Sequence, residues 1–366
     1  MNTIFKFENL TIPKLNEQID KRSGYYRQGD DNNYYVYLQE LYKNSSDHAS
    51  IIDNLVSRVV GTGFQANNEL DNQRIEKYGL NDWLNKSAKN LVIYGGLSTE
   101  IIWNQLHEKI TSFYPISLDR VRVGLIDEDL DEPTLYYYST KFDNYTYLKR
   151  NKSIDILYKF DEDPKTDKHQ LLYNFGFNRI GSDVYPRPDY AAAVPWVETS
   201  IQIPKYYMNL VYNNFMLSGI LVVPFLPEQN DRDEFEKGLK EKFVGANNAA
   251  STMVVYVPSG SESEVKYIPV TDDQSQRKYD ELLNLVTESL ARAHRLSSPM
   301  LAGISLPGNL LGMSDLPTLE KMLNKNTIYP KRQLLIQEFN KINKWLVEPI
   351  TNFEIKDINI FDEGQV

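Results

Sequence analysis

His294-Arg295-Leu296-Ser297-Ser298-Pro299-Met300-Leu301-Ala302-Gly303 and Asn326-Thr327-Ile328-Tyr329-Pro330 are the two junctions within Asp272 to Val347, the stretch that decides the fold. Ahead of the first, Tyr279, Leu282, Leu283, Val286, Leu290 and Ala293 recur at spacings of three and four, which predicts an amphipathic helix over Gln276 to Leu296. Arg292 and Arg295 fall in its last turn, where cations complement the helix dipole, and Pro299 ends it. Between the junctions, Gly303, Pro307, Gly308 and Gly312 hold the apolar Ile304, Leu306, Leu310 and Leu311 out of regular structure. Asp315 is placed to cap a further helix and Pro317 to start it. Pro330 falls inside that helix, and because proline lacks a backbone donor and collides with the preceding turn, a kink is expected there. Leu335, Phe339, Ile342 and Leu346 continue one apolar face beyond it.

Working back from this stretch, Asp189 to Leu217 reads as helix, with Ile203, Tyr207, Leu210, Val211 and Phe215 on one face. Pro195 and Pro204 leave open whether it is one rod or two or three linked pieces. Between the two helical runs lie a strand at Ile220 to Phe225, a charged helix at Asp231 to Phe243, and strands at Ser251 to Val257 and Val265 to Val270. A βαββ module enclosed in this way suits a compact tip on a stalk. Nearer the N-terminus, Asn32 to Phe64 predicts two helices before a Gly turn, and Trp83 to Tyr94 a third, ended by Gly95-Gly96. The period then changes. Ser98 to Trp103, Ile116 to Gly124, Thr134 to Thr140, Asp155 to Phe160 and Gln170 to Phe175 predict an antiparallel sheet packed on those helices. Residues 1–187 thus form an α+β domain, and a last strand is expected at Phe353 to Ile360.

Composition narrows the function classes. With 41% hydrophobic and 12% aromatic residues in a chain of 366, disorder is excluded and two or three modest domains are expected, while a mean hydropathy of -0.48 implies extensive polar surface. No apolar run reaches the roughly 20 residues that cross a bilayer, and Met1 to Leu10 lacks the pattern of a signal peptide. The absence of cysteine excludes disulfides, thiolate metal sites and cysteine nucleophiles. A formal charge of -10 weighs against tight nucleic-acid binding, which draws on cationic side chains that release phosphate counterions.

The order of parts, and the local words Gly61-Thr62-Gly63-Phe64, Tyr185-Pro186-Arg187-Pro188-Asp189-Tyr190, Asn213-Asn214-Phe215, Asp273-Gln274, Ala293-His294-Arg295-Leu296 and Asn326-Thr327-Ile328-Tyr329-Pro330, resemble the portal proteins of tailed bacteriophages from about residue 30 to 348. The resemblance implies an α+β portal fold. Its α+β wing would be residues 1–187 and a kinked wing helix 315–350, its stem helices 188–217 and 273–297, its small α/β clip 218–272 and its tunnel-loop region 298–314. The tail 351–366 would stand where many portals carry a helical crown, so the crown would be reduced or absent. It further implies a homo-oligomeric ring of about twelve subunits closed by head-to-tail contacts. That ring would sit at one capsid vertex of the virion after assembly in the host cytoplasm. Double-stranded DNA would pass through it non-specifically during packaging and ejection, and terminase, the major capsid protein and a neck or tail adaptor would be its partners. Like charge would keep a duplex from adhering to such a conduit.

The tunnel loop would present Leu306, Pro307, Gly308, Asn309 and Leu310, which approach a duplex without arresting it by phosphate salt bridges. Lys205, Arg277, Lys278, Arg292 and Arg295 are candidates for phosphate contacts in the channel or, preferred given the nearby carboxylates, for ion pairs between subunits. Neither an enzyme nor a cofactor is expected. Gly61-Thr62-Gly63-Phe64-Gln65-Ala66 fits the spacing of a dinucleotide fingerprint, but a helix precedes it where a strand is required, so it reads as a structural turn. His48, His107, His169 and His294 are scattered with no pair at ligand spacing, and no nucleophile elbow or phosphate loop occurs. The acidic runs Asp127 to Glu132 and Asp161 to Asp163 read as solvated turns, and Tyr34-Tyr35, Tyr136-Tyr137-Tyr138 and Tyr206-Tyr207 as half-buried sheet and interface anchors. The alternatives are another ring-forming head-tail connector or structural virion protein, and a carbohydrate- or nucleotide-acting enzyme using scattered carboxylates.

Overall fold

The computed structural model describes residues 13–126, 133–142, 154–161, 169–178, 183–212, 219–223, 253–256, 266–269, 275–304 and 315–358. Two compact units emerge, one of Met1–Val197 with Glu288–Val366 and one of Glu198–Thr287.

The first unit opens with a small hairpin, β1 (Ile19–Asp20) and β2 (Tyr25–Tyr26), followed by α1 (Tyr34–Asn44) and α2 (Ser46–Val60). Ser45 caps α2 by accepting the His48 N–H at 3.3 Å, and Ile51, Ile52, Leu55, Val56 and Val59 give the helix a buried stripe. The expected Gly turn carries β3 (Phe64–Gln65), and α3 (Glu69–Lys77) and α4 (Leu80–Tyr94) follow. Helix α3 was not expected: only Asp71 and Ile75 are buried on it, so no apolar stripe marks it. Gly95 terminates α4 with φ +88°, and a Cβ there would run into the carbonyl of Arg187.

The main sheet comprises β4 (Leu97–Trp103), β5 (Ile110–Ile116), β6 (Val121–Val123), β7 (Leu135–Tyr138), β8 (Asp155–Lys159) and β9 (His169–Asn174), in the order β5-β4-β9-β8-β7-β6. Two expectations are corrected. The sheet is mixed rather than antiparallel, because β8 and β9 run parallel through Tyr158↔Gln170 and Lys159↔Leu171. Ile116 to Gly124 is not one strand: β5 stops at Ile116 and a 3-10 turn, Leu118–Arg120, separates it from β6. Strand β5 contains Pro115, which its position at the sheet edge tolerates.

A 3-10 turn, Ala191–Ala193, leads into α5 (Val194–Tyr212), a single helix with Pro195 in its first turn and Pro204 in its interior. Residues 213–217 of the expected helix lie outside the described residues. In the second unit β10 (Gly219–Val223) pairs parallel with β11 (Met253–Tyr256) and antiparallel with β12 (Lys266–Pro269). A parallel pair requires a crossover. Residues 224–252, which contain the expected Asp231 to Phe243 helix, are outside the described residues.

Helix α6 (Ser275–Ala293) ends three residues earlier than Leu296. Its end is a Schellman turn: the Leu296 N–H donates to the Ala291 carbonyl at 2.9 Å and the Arg295 N–H to Arg292 at 3.1 Å. Arg295 occupies the left-handed position at φ 58°, where glycine is usual, so it stands beyond the last turn rather than in it. Pro299 therefore does not end the helix. It opens a 3-10 turn, Pro299–Ala302, capped by Ser298, whose side chain accepts the Met300 N–H at 3.3 Å.

Helix α7 (Leu316–Leu323) has Pro317 in its first turn, while Asp315 stands at the cap position without a side-chain capping bond. The break ahead of Pro330 is a π-helical turn, Asn324–Ile328, that continues directly into α8 (Tyr329–Asn343). A widened turn leaves room for the Pro330 ring and the backbone donor it lacks, so the helix changes its hydrogen-bond period without ending. The final strand shrinks to β13 (Glu354–Ile355), paired antiparallel with β3.

The core of this unit gathers on Phe339 of α8, which is fully buried. Its ring lies 5.5 Å from Phe64, 5.9 Å from Trp83, 6.3 Å from Phe113 and 5.3 Å from Phe353. Among the described residues no helix is long and apolar enough to cross a membrane.

Candidate functional site

Tyr185-Pro186-Arg187-Pro188-Asp189-Tyr190 is the segment through which the chain approaches α5. Each proline restrains the residue before it to an extended backbone. Three tyrosine hydroxyls then anchor the segment. Tyr185 Oη donates to the Tyr26 carbonyl and accepts the Val123 N–H at 3.0 Å. Tyr35 Oη donates to the Pro186 carbonyl at 2.6 Å, and Tyr190 Oη to the Ile93 carbonyl at 2.7 Å. All three tyrosines are fully buried, and burial pushes each hydroxyl's pKa up, so they remain neutral donors.

Asp189 is the electrostatic centre. Lys331 Nζ donates to its Oδ2 at 2.6 Å, Asn178 Nδ2 to its Oδ1 at 2.8 Å, and Arg295 Nη2 stands 3.4 Å from Oδ1. Burial alone pushes this carboxyl up, but the Lys331 ammonium, the Asn178 amide and the Arg295 guanidinium together hold it below the usual range. The Lys331 and Asp189 side chains are only 7% and 10% exposed, which makes this a buried ion pair. One carboxylate thus joins the segment before α5, the turn after α6 and the start of α8. The Thr327 hydroxyl adds a bond at 3.3 Å from the π turn to the Arg295 carbonyl.

Beside this centre His294 Nε2 lies 3.0 Å from His48 Nδ1, with both imidazoles buried and the Tyr190 ring packed on each. Arg332, next to Lys331, donates to the last-turn carbonyls of α2 at Val59 (2.9 Å) and Arg58 (2.5 Å) and pairs with Asp357.

The residues singled out in sequence distribute unevenly. Leu306, Pro307, Gly308, Asn309 and Leu310 lie outside the described residues, as does Asp127 to Glu132. Lys205 is exposed on α5 and Arg292 on α6, and Arg277 and Lys278 fall on α6. Arg295 stands 3.4 Å from Asp189 of its own chain. Two of the four histidines, His48 and His294, meet across 246 positions of sequence. His107 stands at φ 56° in the turn between β4 and β5, and His169 lies 3.1 Å from Glu100. No group of three or more metal-ligating side chains occurs among the described residues. At the fingerprint spacing, Gly61 has φ 56° and a Cβ there would meet the Lys356 carbonyl, so the turn serves the β3–β13 pairing. Sequence reasoning missed Asn178, Lys331 and the His48–His294 contact. The one local signal was a lysine and an arginine directly after Pro330, at the start of a buried helix.

No family model matches the chain. A probable portal protein of Haemophilus phage HP1 (strain HP1c1) is 22% identical over 212 residues. The chain is a relative of a phage portal protein. The match covers 57% of this chain and 58% of that protein, so the chain spans less than two thirds of the length of the curated relative it matches. Its fold is that of chains in gene transfer agent particles. The likeness to a chain of the native virion has a TM-score of 0.56 at 13% identity, covering 88% of this chain and 83% of that one. For the neck of the native particle, computed with C12 symmetry, the TM-score is 0.56 at 13% identity, over 86% and 81% of the two chains. For the neck of the empty particle, computed with C6 symmetry, it is 0.57 at 13% identity, over 87% and 83%. The α+β fold expected from the sequence is thus shared with chains of these particles.

Proposed function

We propose that the protein is a portal: a homo-oligomeric ring of about twelve copies at one capsid vertex, through which double-stranded DNA is packaged and ejected. Terminase, the major capsid protein and a neck or tail adaptor would dock on it, and the ring would assemble in the host cytoplasm before becoming part of the virion. The observation that carries this reading is the order along the chain, in which α5 precedes and α6 follows a three-stranded sheet and a helix interrupted by a π turn comes after, in a chain whose relative is named a probable portal protein. Residues 1–187 and 315–350 would be the wing, 188–217 and 273–297 the stem, 218–272 the clip and 298–314 the tunnel-loop region. The necks with which the fold is shared were computed with C12 and C6 symmetry, which supports ring closure. The proteins named in these comparisons are structural parts of virions, and the role proposed here is likewise non-enzymatic.

Native mass spectrometry with negative-stain imaging tests the ring. Closed assemblies of about twelve subunits with a central channel are expected once the assembly partners are present. A small compact oligomer under those conditions overturns the proposal. The channel loop has a separate test: rings lacking Leu306 to Leu310 are expected to assemble but to package or retain DNA poorly. Normal packaging by such rings would remove the loop from the mechanism.

A further inference from the structure

Helix α5 begins just after Tyr190 and helix α6 ends just before His294, and these two side chains meet His48, which stands in the first turn of α2. The two imidazoles share one contact, Nε2 to Nδ1 at 3.0 Å, with ring centres 5.0 Å apart. The Tyr190 ring covers both, at 4.5 Å from His48 and 4.8 Å from His294. His48 is fully buried and His294 is 1% exposed. Such a contact accommodates one proton. In the neutral pair one nitrogen donates and the other accepts, whereas a second proton sets two N–H groups against each other at hydrogen-bond distance.

The surroundings offer little relief to an added charge: the Asp189 carboxylate favours it, but burial, His48 and Lys331 outweigh that and hold His294 below its ordinary range. His48 Nε2 is buried without a hydrogen-bond partner. From the segment before α5, the facing groups are Tyr190, whose hydroxyl is committed to Ile93, and Asp189, whose carboxylate already holds Lys331, Arg295 and Asn178. From α8 comes the Lys331 ammonium, which repels an imidazolium, and from the turn after α6 comes the Arg295 guanidinium. On α2 itself, Asp47 is half-buried, and its Oδ1 accepts from the Ser46 hydroxyl at 3.4 Å.

We infer that His48 and His294 form a proton-sensitive latch, in which uptake of a proton parts the imidazoles and frees the first turns of α2 from Tyr190 and the end of α6 before the rest of the unit unfolds. Burial holds both imidazoles below their ordinary range, His48 at about 3, so the latch is closed at neutral pH. Opening returns the rings to water, where imidazole titrates near pH 6.5. The open state therefore binds more protons across the window from about 6.5 down to about 3, and the closed state loses ground as the pH falls through it. Between pH 7.5 and 5.5 each imidazole favours opening about ten-fold, and the pair roughly a hundred-fold. This inference does not depend on the portal reading.

Hydrogen exchange on the full chain, corrected for the intrinsic pH dependence of exchange, reads it directly. Protection of the Ala49 to Leu55 amides is expected to fall roughly a hundred-fold between pH 7.5 and 5.5, while Ser98 to Ile102 of β4 in the same molecule changes little. His48→Gln is expected to reduce the fall to about ten-fold, and His48→Gln with His294→Gln to abolish it. Equal pH responses of α2 and β4 in the wild type would overturn the latch, as would an undiminished response in the double variant. If the variants do not fold, the wild-type comparison decides alone.

Discussion

Asp189→Ala is expected to destabilise the protein by about 3–5 kcal/mol, the usual consequence of removing one partner of a buried ion pair. Lys331 would remain 7% exposed with no carboxylate within reach, and Asn178 would lose the acceptor at 2.8 Å. The net worth of the pair is smaller, because desolvating both charges offsets most of their attraction. Two further variants separate these effects. Lys331→Met alone leaves a buried carboxylate with Asn178 and the half-exposed Arg295, and is expected to cost less than Asp189→Ala. Asp189→Leu combined with Lys331→Met is expected to recover much of the loss. Urea denaturation followed by tryptophan fluorescence provides the comparison, and an exposed-site value within ±0.5 kcal/mol for Asp189→Ala would contradict the buried-pair account.

A loss of similar size, about 3–5 kcal/mol, is expected for Phe339→Ala. The side chain is fully buried among Phe64, Trp83, Phe113 and Phe353, with ring centres 5.3 to 6.3 Å away, so truncation opens a cavity and removes several edge and tilted aromatic contacts at once. Four elements supply those neighbours: the strands near Phe64 and Phe353, helix α4, and β5. They cannot all move in to fill the space. Phe339→Leu keeps most of the volume and is expected to cost less. The same denaturation measurement checks both, and a cost below about 1 kcal/mol for Phe339→Ala would show that the cluster collapses freely.

What could be read in advance was what is decided locally. Helices α2, α4 and α6 announce themselves because an apolar stripe at helical spacing coincides with a cap, a glycine or a basic last turn. The break at Pro330 was legible because proline acts on its own turn, although its π-helical form depends on the register the neighbouring helices impose. Strand β5 was hidden by Pro115, whose tolerance depends on the strand lying at the sheet edge, a property of the assembled sheet. The parallel run of β8 and β9 is likewise invisible in alternation alone, since a strand reads the same in both directions.

The site followed the same division. Tyr185 and Tyr190 stand in one short segment and could be quoted from the sequence, but Tyr35 reaches Pro186 across 151 positions, Lys331 reaches Asp189 across 142 and His294 reaches His48 across 246. Arg295 was misplaced because the left-handed position ordinarily calls for glycine; here an arginine takes it, with its guanidinium 3.4 Å from Asp189.

The contact between Asp189 and Arg295 also bears on how this chain tolerates change. The polypeptide departs for Glu198–Thr287 soon after one of these residues and comes back shortly before the other, so the ion pair brings the two ends of the excursion together. Once its ends are joined, lengthening an excursion costs little, about 0.6 kcal/mol for each doubling of a flexible loop. Insertions and deletions between those ends are therefore cheap for the remainder of the chain, and variation among relatives should concentrate there.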